Sequence, residues 1–167
     1  GRLQFKGPSA TRGYFWDEEK TRKLFDGEWL ESGDLAYIAG GDIYVTGRIK
    51  DMIIRAGRNV YPHEIEDVVG RLPGVRKGCV VAFASPNPRT GSERLVLLAE
   101  TRIEDPASLT ALASAIREAS LGILDLPPDE IVLAPPHAIP KTSSGKIRRS
   151  SARALFESGA LGTAQQS

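Results

Sequence analysis

The chain has 167 residues, 41% hydrophobic and 26% charged, the proportions of an ordinary globular protein with enough length to bury a core. Its 22 Lys and Arg residues balance 21 Asp and Glu to a formal charge of +1, so it lacks the basic excess of a nucleic-acid binder. The single cysteine, Cys79, excludes an internal disulfide, and the two histidines, His63 and His137, have no companions at metal-ligand spacing. Cys79 lies in the apolar run of residues 79–83, where it is expected to pack as a small hydrophobe rather than react, as in a cytosolic protein. No signal peptide and no apolar run long enough to span a bilayer are read, which predicts a soluble protein without a transmembrane segment.

Residues 1–8 alternate as a strand does, with no partner strand nearby, so the chain reads as part of something larger. Asp17 is placed to cap a short helix that carries Glu18 and Glu19 in its first turn and buries Leu24 and Phe25 at its end. Residues 35–38 and 43–45 predict a β-hairpin across Gly40 and Gly41. Residues 52–55 predict a short strand ending at Ala56 and Gly57. Pro62 then opens a helix whose Ile65, Val68, Val69 and Leu72 share one face. The continuous apolar runs 75–84 and 93–101, joined by a turn-rich stretch at 85–91, predict central strands covered on both faces. Asp105 and Pro106 cap a helix with a stripe of Leu109, Leu112, Ala113, Ile116 and Ala119, and residues 131–133 add a strand. Residues 148–156 predict a last helix and residues from Gly159 a frayed tail. There is no internal repeat and no low-complexity segment.

Two places carry chemistry. Pro140-Lys141-Thr142-Ser143-Ser144-Gly145-Lys146 is a cationic stretch that small hydroxyl residues and Gly145 are expected to keep flexible. Lys146 on that support can reach a phosphate as a point charge. It is not a Walker A loop, which needs Gly at the place of Pro140 and Ser or Thr at the place of Ile147. A solvated basic linker would use the same residues. Asp34, just ahead of the first hairpin strand, can accept two hydrogen bonds from a vicinal diol or can simply form a turn.

Four motifs in order, Glu31-Ser32-Gly33-Asp34-Leu35, Gly47-Arg48-Ile49-Lys50-Asp51, Gly57-Arg58-Asn59-Val60-Tyr61-Pro62-His63-Glu64-Ile65-Glu66 and the lysine stretch, resemble the C-terminal part of the acyl-adenylate-forming enzymes. Among these the chain looks most similar to fatty acyl-AMP ligases and long-chain fatty acyl-CoA synthetases, over residues 1–159. The resemblance implies an α+β fold: a small C-terminal domain with a short central sheet flanked by helices, preceded by a β-hairpin and a remnant of the large N-terminal domain. Residues 1–49 would end the large domain, 50–159 form the mobile domain, and 160–167 a disordered tail.

The resemblance also assigns roles. Asp34 would bind the ribose hydroxyls of the nucleotide with Arg48 in the same site, and Lys50 and Asp51 would form the hinge. Gly57 and Arg58 would line the path of the thiol-bearing pantetheine, and Lys146 would be the catalytic lysine. The implied reaction activates a fatty acid with MgATP as acyl-AMP and transfers the acyl group to CoA or to the phosphopantetheine of an acyl carrier protein. The ligands of Mg2+, the phosphate loop, the adenine shelf and the acyl pocket are expected in an N-terminal portion with which this chain pairs, and no metal ligand in the chain itself. The chain alone is therefore expected to be inactive. A cytoplasmic location follows, with peripheral membrane contact through a lipid substrate. Two other readings of the residues stand: a non-catalytic nucleotide-binding or docking module that retains only the fold, and a basic interaction tail around Arg148, Arg149 and Arg153.

Overall fold

The computed structural model describes residues 1–55, 57–87, 92–161 and 165–166. It divides into two compact units, Gly1–Met52 and Ile53–Ser167.

The first unit is built on an antiparallel sheet. Strand β1 (Arg2–Phe5) is not partnerless as its local sequence suggests: it pairs with β3 (Trp29–Ala39), setting Gln4 opposite Glu31 and Phe5 opposite Leu30. The partner is invisible to local reading because helix α1 (Glu18–Leu24) intervenes. That helix starts as expected, with an Asp17 carboxylate oxygen accepting from Lys20 N at 2.9 Å. The two-residue strand β2 (Phe25–Asp26) turns the chain back onto the start of β3. At the other end of β3, β4 (Asp42–Arg48) closes a hairpin through Gly40 (φ 61°) and Gly41 (φ 92°). Two left-handed residues in a two-residue loop match the right-handed twist of the strands, which is why glycines stand there. A register shift after the Leu35–Gly47 pair opens a bulge at Thr46, whose hydroxyl donates to Leu35 O at 3.1 Å. A 3-10 turn, Ile49–Asp51, follows β4.

In the second unit, β5 (Ile53–Arg55) pairs with β6 (Arg58–Val60), a strand too short and too polar to announce itself in the sequence. Helix α2 (Pro62–Val69) buries Ile65 and Val69. The main sheet has the order β10-β9-β8-β7. Its strands are β7 (Val75–Pro86), β8 (Glu93–Thr101), β9 (Glu130–Ala134) and β10 (Gln165–Gln166). β7 and β8 are antiparallel, whereas β8 and β9 are parallel and joined by helix α3 (Pro106–Leu124), as a parallel pair requires. Helix α4 (Arg149–Glu157) follows the lysine stretch.

Strand alternation sorts the two apolar runs onto two faces. Val80, Ala82, Leu95, Leu97, Ala99, Ile131 and Leu133 pack with α2 and α3 around Ile65 and Ile116. Val81, Phe83, Val96, Leu98 and Val132 pack on the other face with Ile139 and with Ala152 and Phe156 of α4. Both faces are covered, so both sets of alternating residues must be apolar. Each fully buried large side chain among them contributes about 1.5–3 kcal/mol.

Helix α3 departs from the sequence reading in two respects. Its buried face continues through Ser120 rather than Ala119, because the Ser120 hydroxyl donates back to Ile116 O at 2.7 Å and carries no open polarity inward. By length and composition alone α3 could cross a membrane, contrary to the expectation that no run would. Its Leu109, Leu112, Ala113 and Ile116 belong to the core cluster, as befits a core helix. Leu161 is also buried in the second cluster and Gln165–Gln166 pair with β9, although residues 160–167 read as a tail; residues 162–164 and 167 lie outside those described.

Candidate functional site

In the first unit, Asp34 and Arg48 face each other across the β3–β4 ladder, and Arg48 Nε donates to Asp34 Oδ1 at 3.2 Å. Asp34 is fixed from below: Gly33 takes φ 78° and the Asp34 backbone N–H donates to Ser32 Oγ at 3.0 Å. The second carboxylate oxygen of Asp34 has no donor among the described residues. A half-exposed carboxylate oriented by a guanidinium and with one oxygen open can accept from a hydroxyl. Lys50 is exposed and Asp51 half-buried, both in the 3-10 turn that follows.

In the second unit, the lysine stretch is a hydrogen-bonded hairpin rather than the flexible loop read from its composition. Lys141 and Ile147 form a β-bridge, Thr142 N donates to Lys146 O at 2.8 Å, and Arg148 N donates to Pro140 O at 2.9 Å. At the tip, Gly145 (φ 82°) donates its N–H to Thr142 O at 2.9 Å. A turn closed by a left-handed glycine before the returning arm is a common hairpin device. The small hydroxyls satisfy the tip: Thr142 Oγ1 accepts from Lys146 N at 3.1 Å and lies 2.9 Å from Ser144 Oγ. Composition gave the turn residues but not where their hydrogen bonds go. Lys146 is exposed, and its ammonium has no hydrogen-bond or ion-pair partner among the described residues.

Two carboxylates not singled out in the sequence hold the ends of this hairpin. Glu66, on α2, accepts from Arg149 Nη2 at 2.8 and 3.0 Å and from Ala82 N at 2.8 Å. Burial raises the Glu66 pKa, against the lowering effect of Arg149, the Ala82 N–H and His63. Glu100, 1% exposed near the C-terminal end of β8, accepts from Ile139 N at 2.8 Å and pairs with Arg76. Burial pushes its pKa up, but the N–H groups of Ile139 and His137, the Cys79 thiol and Arg76 together hold it below its ordinary value. Cys79 is buried and free, and Lys141 Nζ lies 3.1 Å from its sulfur and 2.8 Å from Gly78 O. The one available signal was Glu100 itself, a charge directly following the apolar run of residues 95–99, which has to be paired if buried.

Gly57 (φ 75°) turns β5 into β6, and a Cβ built there would meet nothing within 4 Å. Its backbone angle therefore accounts for the glycine without any crowding; Ala56 lies outside the described residues. Arg58 pairs with Asp125 at 2.7 Å on an exposed surface and borders a cavity of about 80 Å3 with Arg55, Asn59, Glu64 and Leu124. Among the described residues no group of three or more His, Cys, Asp or Glu could hold a metal.

No family model matches the chain. The medium-chain-fatty-acid–[acyl-carrier-protein] ligase JamA of Moorena producens is 36% identical over 172 aligned residues, covering 96% of this chain and 29% of its own. A structure of the fatty acyl-adenylate ligases from E. coli and L. pneumophila superimposes with a TM-score of 0.79 at 35% identity, over 96% of this chain and 28% of that one. McyG A-PCP complexed with phenylalanyl-adenylate gives a TM-score of 0.83 at 31% identity, over 96% and 29%. The fold is thus that of part of an adenylate-forming enzyme. More narrowly, the chain is homologous to a portion of the acyl-CoA synthetases and fatty acyl-AMP ligases, in keeping with the C-terminal portion its motifs resemble. It spans less than a third of the length of the curated relatives it matches.

Proposed function

We propose that the chain is the C-terminal portion of a cytoplasmic AMP-forming ligase that activates a fatty acid as acyl-AMP and passes the acyl group to a thiol, of CoA or of a carrier protein's phosphopantetheine. The observation that carries this reading is Lys146: an unpaired ammonium held out on a hydrogen-bonded hairpin.

Negative charge builds on the α-phosphate and the bridging oxygen as the carboxylate attacks. The Lys146 ammonium offsets that charge, an effect commonly worth a few kcal/mol to a transition state (about 3 kcal/mol). Asp34, oriented by Arg48, accepts from the ribose hydroxyls and so fixes the nucleotide. Mg2+ would supply charge neutralisation on the phosphates, with its ligands elsewhere in the longer enzyme. Lys50 and Asp51, in a turn after β4, serve as the hinge between the activation and transfer steps. Gly57 and Arg58 line the thiol's approach, with residues 1–49 belonging to the large domain and 50–159 to the mobile one.

The test is product analysis by mass spectrometry of the full-length enzyme given a medium-chain fatty acid and MgATP, with and without CoA. Acyl-CoA formed only with the thiol marks a CoA ligase. Acyl-AMP accumulating in both reactions marks a ligase that serves a carrier protein. Neither product, with a panel of carboxylic acids, overturns the reading.

A further inference from the structure

The lysine hairpin stands on two carboxylates from different elements, one buried and one nearly so. At its entry Glu100 of β8 takes the Ile139 and His137 N–H groups. At its exit Glu66 of α2 takes Arg149, three residues past Lys146, while also accepting the Ala82 N–H of β7. Between these feet, backbone hydrogen bonds from Thr142 to Lys146 and from Arg148 to Pro140 leave the two arms no independent position. Glu66 and Arg149 are both nearly buried, with side-chain exposures of 16% and 18%, and Arg149 Nε has no partner among the described residues. Among the described residues, only the Glu66 carboxylate orients that guanidinium by a hydrogen bond.

We infer that Glu66 is a positioning residue for Lys146: by holding Arg149 Nη2 with both carboxylate oxygens it fixes the base of the hairpin and hence where the ammonium is delivered. The inference rests on the proposed role of Lys146 and adds to it a residue that touches no substrate. Glu100 secures the other arm, but it is so deeply buried that its loss would disturb the core, so the test is made on Glu66. The Nη2 group that meets both oxygens is charged and largely shielded from water, so the contact is a strong, charge-assisted one. Misplacement of a catalytic group by about 1 Å can cost about 100-fold in rate.

The experiment uses the full-length enzyme and measures the two half-reactions separately: pyrophosphate release from ATP and fatty acid, and thioester formation from supplied acyl-AMP. Glu66→Gln is expected to lower kcat for pyrophosphate release about 10- to 100-fold, with KM for ATP and the thioester step within twofold of wild type. Arg149→Lys, which keeps the charge but replaces the rigid planar guanidinium with a flexible ammonium, should give the same pattern with a smaller loss and serves if Glu66→Gln does not fold. Added to Lys146→Ala, Glu66→Gln should cost nothing more, because it acts only through that lysine. Losses that multiply in the double variant, equal losses in both half-reactions, or no loss in either single variant overturn the inference. If Lys146→Ala itself leaves pyrophosphate release intact, the proposed role of Lys146 fails first, and the result identifies that failure separately.

Discussion

Arg48 Nε donates to Asp34 Oδ1 at 3.2 Å, and the two residues are direct partners in the β3–β4 register. The hairpin that pairs the strands thus also builds the proposed ribose contact, with the Thr46 bulge beside it. Asp34→Ala and Arg48→Ala in the full-length enzyme should each raise KM for ATP by about tenfold or more, since a hydrogen bond to a charged group contributes about 1.5–3 kcal/mol. Unchanged ATP dependence in both variants would remove the pair from the nucleotide site.

Gly57→Ala separates backbone from chemistry. No atom lies where the new methyl would go, so only the left-handed angle is strained, at about 1–2 kcal/mol. A urea melt of the chain should show a loss of that size. In the full-length enzyme the thioester step should slow while pyrophosphate release holds, if Gly57 lines the thiol's path; an unaffected thioester step would leave it a turn glycine.

The two carboxylates that flank the lysine hairpin, Glu100 and Glu66, shift stability with pH in opposite senses. Glu100 sits below its ordinary value of 4.5, so its contribution is present above that value and is lost as pH falls through its folded-state pKa. Glu66 sits above 4.5, so its contribution is present at acid pH and fades as pH rises through its raised pKa. Urea midpoints of the chain measured from pH 7 down to pH 3 should fall less steeply at the acid end in Glu100→Gln and more steeply in Glu66→Gln. Parallel curves for wild type and both variants would contradict these assignments.

Ile116 is fully buried where α3 meets the sheet. Ile116→Ala should cost about 2–5 kcal/mol, read as a lowered urea midpoint at unchanged slope. A loss under about 1 kcal/mol would mean that the α3 face is not packed as described.

The apolar runs of β7 and β8, the Pro62 and Asp105 helix starts and the glycine hairpin were legible because each is set by neighbours a few residues apart. Pairing of β1 with β3, the β5–β6 hairpin and burial of Leu161 were not, because each depends on a partner far along the chain or on a strand without apolar alternation. The site divided in the same way. Asp34, Arg48 and Lys146 stood out by motif, whereas the contacts that place them did not: the Glu66–Arg149 ion pair joins residues 83 apart, and the Glu100–Ile139 bond residues 39 apart. The hydroxyl-rich lysine stretch read as flexible because composition reports polarity, and the same hydroxyls close the hairpin once the backbone turns.

The role of Lys146 is tested most directly by Lys146→Ala in the full-length enzyme, assayed for pyrophosphate release from ATP and fatty acid and, separately, for thioester formation from supplied acyl-AMP. The first should fall by about 100-fold or more, with the second within a few fold of wild type. Equal rates of pyrophosphate release in variant and wild type would contradict it.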